Sequence, residues 1–428
     1  MQHIVIIGNG ISGITAARHL RKRSNHRITV ISSETDHFFS RTALMYIYMG
    51  HMRYEHTKPY EDGFWKKNRI DLVRDHVERV DTERKELLLR SARHIAYDQL
   101  IIASGSRPNM FGWPGQELPG VQGLYSYPDL QQMEQNTRGI AQAVVVGGGL
   151  IGVEVAEMLR SRGIAVTFLV REGAFWSNVL PRQEAELITR HIRAHHVNLQ
   201  LQTELSEILA GPSGRVEAVR TSRGEVIPCQ FVALTVGVSP NIDFLKGSQV
   251  ALKRGVLVDE YLQTNVPGVY AIGDCVERTY PLAGRKNIEQ VWYTGRMMGE
   301  VLAQTLCGER TRYEPGPWFN SAKFFDIEYQ TYGNVAPQLS DHEEDFYWEH
   351  PDGTKCVHAV WEKTSRLFKG INTFGIRMRH AHFDAWLRAG KTIDFVMEHL
   401  AEANFDPEFF QRHEKAIMNQ FKNTTVMA

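Results

Sequence analysis

Two glycine-rich stretches carry the most chemistry in this sequence. Gly8-Asn9-Gly10-Ile11-Ser12-Gly13 lies at the start, and Gly147-Gly148-Gly149-Leu150-Ile151-Gly152 lies about a third of the way along. Both have the GxGxxG spacing. There the first glycine allows a tight turn, the second lets backbone approach a pyrophosphate, and the third lets a helix pack closely on a strand. The helix that follows offers free N–H groups to the phosphates. Gly8, Gly10, Ser12 and Gly13 are therefore candidate contacts for one dinucleotide, and Gly147, Gly149, Ile151 and Gly152 for a second. A carboxylate at the end of the next strand suits two ribose hydroxyls, and Ser33-Glu34 stands there after the first fingerprint. After the second fingerprint the same place holds Arg171-Glu172. An acid there binds the adenosine ribose 2′-hydroxyl, while an arginine accommodates a 2′-phosphate. Both chemistries stand side by side, which predicts a modest preference between NADH and NADPH, leaning to NADH because Glu172 repels a phosphate dianion.

The elements that must position these residues surround them. Residues 4–7 and 143–146 are short apolar strands, 14–20 and 153–159 have helical character, and 27–31 and 165–170 read as second strands. One GxGxxG can serve simply to pack a helix on a strand. Two copies, each inside strand–turn–helix–strand, point to two dinucleotides on one chain, the arrangement required by flavoenzymes that pass electrons between a nicotinamide and FAD.

A β-rich passage follows the first unit and ends at residues 99–108, and the Pro/Gly-rich stretch 108–123 reads as a linker. The second unit runs to residues 231–241, followed by a strand-like stretch at 267–275 and a helical one at 288–306. From Trp318 aromatic residues accumulate, which reads as the core of a third domain, and residues 383–389 and 393–402 read as half-buried helices. The expected fold is α/β, with two Rossmann-like three-layer domains for FAD and NAD(P) plus a C-terminal α+β domain. The expected boundaries are residues 1–112 with 246–315 for FAD, 113–245 for NAD(P), and 316–428 for an interface-like domain.

Bulk properties narrow the function further. At 428 residues the chain exceeds one small core. Lys plus Arg and Asp plus Glu number 49 each, so no net charge draws it to nucleic acid or anionic lipid. No apolar run approaches the ~18 residues of a spanning helix, and the N-terminus lacks a signal peptide's length and flanks. The expectation is a soluble, cytoplasmic protein. Cys229, Cys275, Cys307 and Cys356 are widely spaced with no CxxC, so neither a zinc site nor a sequence-local dithiol is expected, and they read as buried thiols. The 18 histidines are read as holding no metal-ligand spacing, with His195-His196 at a surface helix end, and no metal is expected. No Ser/His/Asp or paired-carboxylate arrangement stands out.

With these motifs in order, residues 1 to about 335 resemble the pyridine nucleotide–disulfide oxidoreductase superfamily of two-dinucleotide-domain flavoproteins. The order is that family's: an N-terminal fingerprint for FAD, a strand ending in Ala103-Ser104-Gly105-Ser106-Arg107-Pro108, a second fingerprint for NAD(P), and the strand Ala271-Ile272-Gly273-Asp274. The resemblance implies that Asp274 hydrogen-bonds the ribityl–pyrophosphate region of FAD, and that Ser104, Gly105 and Gly237 line cofactor sites. Phe39-Ser40-Arg41-Thr42-Ala43-Leu44 is similar to a segment of NADH:rubredoxin reductases, dioxygenase ferredoxin reductases and apoptosis-inducing factor, and the likeness implies that Arg41 contacts FAD. Those proteins lack the redox disulfide on the helix after the first unit, and this chain has no cysteine before Cys229.

Three departures accompany the resemblance. Ser33 stands where the family has its ribose-binding acid, and Glu34 is one residue late. Tyr46 replaces a lysine that in relatives pairs with a glutamate near the flavin. Glu154 fits that glutamate and the nicotinamide–flavin contact, or else complements a helix dipole. Residues beyond about 335 are not explained by the family. The resemblance implies an FAD-dependent NAD(P)H:acceptor oxidoreductase, passing hydride from NAD(P)H to the flavin and electrons to a small iron–sulfur carrier such as rubredoxin or ferredoxin. Two alternatives stay open. One is an NADH:quinone oxidoreductase whose closing helices present an apolar face to a membrane. The other is a non-enzymatic protein whose binding surface is switched by bound NADH and FAD. The acceptor and any homo-oligomer are left open.

Overall fold

Ile4, Val5, Ile6 and Ile7 form an unbroken apolar run, as a strand covered on both faces requires. In the computed structural model, which describes residues 1–282, 284–405 and 411–426, all four are buried. The chain divides into two units. The first is Met1–Asn109 with Gly123–Arg138 and Gly237–Pro315; the second is Met110–Gln122 with Gly139–Val236 and Gly316–Ala428.

In the first unit, His3–Ile7 is the middle strand of a five-stranded parallel sheet ordered Val269–Ala271, Gln99–Ile102, His3–Ile7, Arg27–Ser32, Ile70–Arg74. Helix Ile11–Arg23 makes the crossover. Its small residues Gly13, Ala16 and Ala17 are buried, and Arg21, Lys22 and Arg23 in its last turn complement the helix dipole. Helix Trp292–Leu306 crosses it at glycines: a Cβ at Gly299 would lie 2.6 Å from the Ser12 carbonyl oxygen, and one at Gly295 would overlap the Ser12 hydroxyl. Helix Tyr127–Asn136 starts with a capping box, Ser126 accepting from the Asp129 N–H while the Asp129 carboxylate accepts from the Ser126 N–H.

The second unit repeats the plan. Its parallel sheet is ordered Asn198–Leu201, Ala165–Val170, Gln142–Val146, Phe231–Leu234, Val121–Gln122, with helix Leu150–Ser161 after the central strand. The stretch read as a linker thus supplies an edge strand. Pro119 and Gly120 break the chain locally, but the Val232 N–H donating to the Gly120 carbonyl at 2.9 Å brings Val121–Gln122 into the sheet. Tertiary pairing overrides local composition here.

Residues after Gly316 form an antiparallel sheet ordered Phe319–Phe324, Ile327–Gly333, Phe368–Phe374, Cys356–Glu362, Glu343–Glu349, followed by helices His380–Arg388, Ile393–Glu398 and Glu414–Val426. The aromatic run is a core: Tyr332, Phe346, Trp348 and Trp361 are buried together with Phe383, Trp386, Ile393 and Val396 from the helices. The named apolar residues of those helices are therefore committed inward. Among the described residues no helix is long and apolar enough to cross a membrane. The architecture is α/β, with two Rossmann-like dinucleotide-binding sheets and a C-terminal α+β region.

Candidate dinucleotide sites

The two fingerprints superpose in chemistry glycine by glycine. Gly8 and Gly147 both have φ +112°, a region L side chains rarely enter. A Cβ at Gly8 would overlap the Ala103 carbonyl, and one at Gly147 would lie 2.6 Å from the Thr235 carbonyl oxygen. Gly13 and Gly152 are closed by the carbonyls of Gly8 and Gly147. The second glycines differ. A Cβ at Gly10 or Gly149 would meet nothing within 4 Å. Gly10 and Gly149 are also the N-cap residues of their helices and make no side-chain cap, so the N–H groups of the first turns face that opening. A turn built only for packing has no reason to leave its middle glycine open. The cradle fits a pyrophosphate at both fingerprints.

Around the first fingerprint, side chains from distant segments converge. Asn9 donates to the Thr35 carbonyl at 2.9 Å and accepts from the Ser32 hydroxyl at 2.9 Å, fastening the loop to the end of the second strand. Ser33 is exposed. Both Glu34 oxygens are held by Arg41, Nη1 to Oε1 at 2.8 Å and Nη2 to Oε2 at 2.6 Å, and the Tyr127 N–H donates to Oε1 at 2.9 Å. A carboxylate has about four lone-pair sites, so Glu34 keeps capacity for a ribose hydroxyl. Burial disfavours the Arg41 charge, but the facing Glu34 outweighs it and holds the guanidinium pKa above its ordinary value. Arg41 Nη1 also donates to the Tyr125 carbonyl at 2.6 Å, and the guanidinium lies 4.5 Å from the Tyr125 ring centroid.

The relay continues to Asp274. Its carboxylate accepts from the Tyr125 hydroxyl at 3.1 Å, while the Ser106 N–H donates to that hydroxyl at 3.0 Å. Burial pushes the Asp274 carboxyl above its ordinary value, opposed by Tyr125, Arg41 and Ser106. Gly105, at φ +68°, admits the tyrosine: a Cβ there would lie 2.8 Å from its hydroxyl. Ser104 donates to the Asn241 carbonyl at 2.7 Å. Gly237, at φ +87°, accepts from the Asn109 N–H at 3.1 Å. The Ser12 hydroxyl lies against Gly273 and Gly295, so its side chain packs the helix crossing. Tyr125 was not legible as a site residue in the sequence; its signal was an aromatic directly before the Ser126/Asp129 capping box.

At the second fingerprint, Ile151 is half-buried in the first turn of helix Leu150–Ser161. Glu172 Oε2 lies 3.6 Å from where a Gly148 Cβ would be, so the acid borders the loop. Arg171 is exposed and pairs with Glu172 Oε1 through Nε at 3.2 Å and Nη2 at 3.0 Å. Glu154 lies on the same helix. Burial, and then the neighbouring Glu157, push its carboxyl up to about 7, with Lys323 pulling the other way. Lys323 Nζ is 2.7 Å from Glu157 Oε1.

None of the four cysteines is bonded to another; Cys229, Cys275 and Cys356 are buried as expected, whereas Cys307, at the C-cap of helix Trp292–Leu306, is only half-buried. Burial pushes the Cys229 thiol up to about 12 and the Cys275 thiol up to about 11, and raises Cys356 well above its ordinary value. Buried protonated thiols are poor nucleophiles. Among the histidines, His191 and His195 stand four apart on helix Arg182–Ala194 and its C-cap, one helical turn, and both face Asp326.

Fold and cradles together define a two-dinucleotide oxidoreductase. A model of the pyridine nucleotide-disulphide oxidoreductase family matches residues 2–299. Rhodocoxin reductase from Rhodococcus erythropolis is 30% identical over 332 residues, covering 75% of this chain and 76% of that protein. A ferredoxin–NAD(P)(+) reductase from a Sphingomonas species is 29% identical over 343 residues, covering 78% and 81%. The chain belongs to the pyridine nucleotide-disulphide oxidoreductase family, among members without a redox disulfide. The solved structure of a water-forming NADH oxidase from Lactobacillus brevis matches with a TM-score of 0.83 at 17% identity, covering 100% of this chain and 99% of that one. That likeness is one of fold alone, and it covers the residues beyond 335 that sequence motifs leave unexplained.

Proposed function

We propose that this enzyme passes electrons from NAD(P)H through FAD to a small iron–sulfur carrier of the rubredoxin or ferredoxin kind. The observation that carries the reading is the open second glycine in both fingerprints, Gly10 and Gly149, where the flanking glycines are closed by protein. The names of the relatives, reductases of rhodocoxin and of ferredoxin, support the choice of acceptor. FAD takes a hydride from a nicotinamide and releases electrons singly, which is the chemistry the cofactors supply.

The chain's own groups do the rest. In this reading Gly8, Gly10 and the first-turn N–H groups of helix Ile11–Arg23 receive the FAD pyrophosphate, with Ser12 and Gly13 closing the helix behind them. Ser33 and Glu34 reach the ribose, Arg41 sets the charge beside it, and Asp274, oriented by Tyr125 and Ser106, takes the ribityl hydroxyls. Ser104, Gly105 and Gly237 shape the wall. Gly147, Gly149, Ile151 and Gly152 receive the NAD(P) pyrophosphate, Glu172 takes the ribose 2′-hydroxyl, and Arg171 tolerates a 2′-phosphate. Glu154, titrating at about 7, holds or releases a proton on its carboxyl beside the nicotinamide. Buried thiols take no electrons on the way. Of the division expected from the sequence, 1–112 with 246–315 for FAD, 113–245 for NAD(P) and 316–428 for an interface-like domain, residues 123–138 and 237–245 move to the FAD part, where Tyr125 and Gly237 lie.

The test pairs two variants with an acceptor screen. Gly10→Val places its side chain in open space, so the protein folds but is isolated colourless. Gly149→Val is isolated yellow and is not bleached by NADH or NADPH without oxygen. The NADH-reduced parent reduces rubredoxin or ferredoxin faster than it reduces a soluble quinone. Full flavin content in Gly10→Val overturns the first loop, normal bleaching in Gly149→Val overturns the second, and a preference for quinone overturns the acceptor.

A further inference from the structure

Outside both cradles, one cluster of ligating side chains is built from two elements of the second unit. Helix Arg182–Ala194 puts His191 and His195 one turn apart on the same face. The strands Phe319–Phe324 and Ile327–Gly333 are joined by the two-residue turn Phe325-Asp326, which lays a carboxylate against both imidazoles. We propose that His191, His195 and Asp326 bind one divalent late first-row transition cation, of which Zn2+ is the probe.

The geometry has the features such a site needs. Asp326 Oδ1 is 2.6 Å from His191 Nε2 and 3.4 Å from His195 Nε2, and one ligand atom from each residue falls within 4.8 Å of the others. Metal–ligand distances of about 2.0–2.2 Å put tetrahedral ligand atoms roughly 3.3 Å apart, so the His191–Asp326 pair must open by about 0.7 Å and no pair must close by more than about 1.5 Å to admit the ion. Asp326 is 75% exposed and free to make that adjustment, whereas the His191 side chain is only 8% exposed.

The His195 ring is aimed by a group other than the carboxylate: its Nδ1 hydrogen-bonds the His191 carbonyl at 3.0 Å, which leaves Nε2 as the ligating nitrogen. The buried Phe325 ring stacks on His195 with centroids 4.4 Å apart and planes 24° apart. Rings fixed by backbone carbonyls behind the metal are the usual second layer of histidine sites. A simple ion pair needs one imidazole on the carboxylate; here two nitrogens meet one oxygen. Two imidazoles and a carboxylate suit Zn2+, Co2+, Ni2+ or Cu2+ rather than Mg2+ or Ca2+. The exposed side of Asp326 leaves a fourth position for water. Bound there, the ion ties the hairpin after Gly316 to the helix that follows the second dinucleotide fingerprint.

The full-length flavoprotein, stripped with chelator and dialysed, is titrated with Zn2+ by calorimetry in a non-coordinating buffer, and Co2+ is added separately for its visible spectrum. One Zn2+ binds per chain with micromolar or tighter affinity, and the Co2+ adduct shows the intense visible bands of a four-coordinate site. His195→Gln and Asp326→Asn each weaken Zn2+ by at least about tenfold, with flavin content and circular dichroism unchanged, while His350→Gln, whose ring lies against His413 and Trp348 instead, leaves binding intact. Affinity no better than millimolar in the parent, or parent-like binding in His195→Gln, overturns the site. His195 is the more exposed of the two histidines, so its variant remains decisive even if Asp326→Asn disturbs the hairpin.

Discussion

Tyr125 and Asp274 stand 149 positions apart in the sequence and are joined by a 3.1 Å hydrogen bond from the phenol to Oδ2. The bond gives a buried carboxylate a donor from the segment that also fixes Arg41. Removing it leaves Asp274 less satisfied where desolvation already opposes its charge. Loss of a partner to a buried charged group costs about 1–3 kcal/mol. Tyr125→Phe is expected to hold FAD about tenfold more weakly and to unfold at lower urea. Equilibrium dialysis of FAD checks this; parent affinity would show that Ser106 and Arg41 position Asp274 unaided.

Glu154 is expected to leave a signature in the pH profile. Its carboxyl is protonated below about 7 and ionised above. An ionised carboxylate beside a nicotinamide favours the positive charge that develops as hydride departs. The rate of flavin reduction by NADH should therefore rise through pH 7 in the parent and run flat in Glu154→Gln, which falls several-fold behind only on the alkaline side. Stopped-flow bleaching at a series of pH values measures both. A limb that persists in the variant assigns the titration elsewhere.

In the proposed assignment, coenzyme choice rests on two adjacent side chains, Arg171 and Glu172. Arg171→Ala should lower kcat/KM for NADPH relative to NADH, because a 2′-phosphate loses a charge-assisted contact. Glu172→Ala should shift the ratio the other way by removing both the 2′-hydroxyl acceptor and the repulsion of a phosphate. Steady-state kinetics with an artificial acceptor read both ratios, and unchanged ratios in both variants remove these residues from the site.

His358 predicts how stability depends on pH. It sits between Glu184, 3.2 Å from Nδ1, and Asp345, 2.7 Å from Nε2. Burial works against its charge, but the two carboxylates outweigh it and raise its pKa from 6.5 to about 9. A folded-state pKa above the unfolded value stabilises the protein fully below pH 6.5, and the gain is lost as pH rises through 9. Thermal unfolding should therefore move to lower temperature across that window in the parent, and His358→Gln should lack the slope.

What the sequence disclosed follows the reach of the interactions involved. The fingerprints are local: strand, turn and helix lie within about 30 residues, so spacing alone locates Gly8, Gly10, Gly147 and Gly149. Asp274 and Arg41 came from family motifs. Tyr125 was hidden because its partners, Arg41, Ser106 and Asp274, come from three separate segments. The strand Val121–Gln122 was hidden because its pairing partner begins at Phe231. The histidine pair was readable from its spacing of four, but Asp326 lies 135 residues beyond His191 and only the hairpin brings it near.

The crossing of helices Ile11–Arg23 and Trp292–Leu306 bears on biosynthesis. Every strand of the second parallel sheet lies between Val121 and Leu234, so that sheet is complete once a continuous stretch has left the ribosome. The first site needs Val269–Ala271 to join its sheet and Gly295 and Gly299 to seat against Ser12. The fingerprint translated first is thus the one walled in later. Under the proposed assignment, flavin capture is expected only after Gly299 has emerged, whereas the sheet of the NAD(P) cradle is complete earlier.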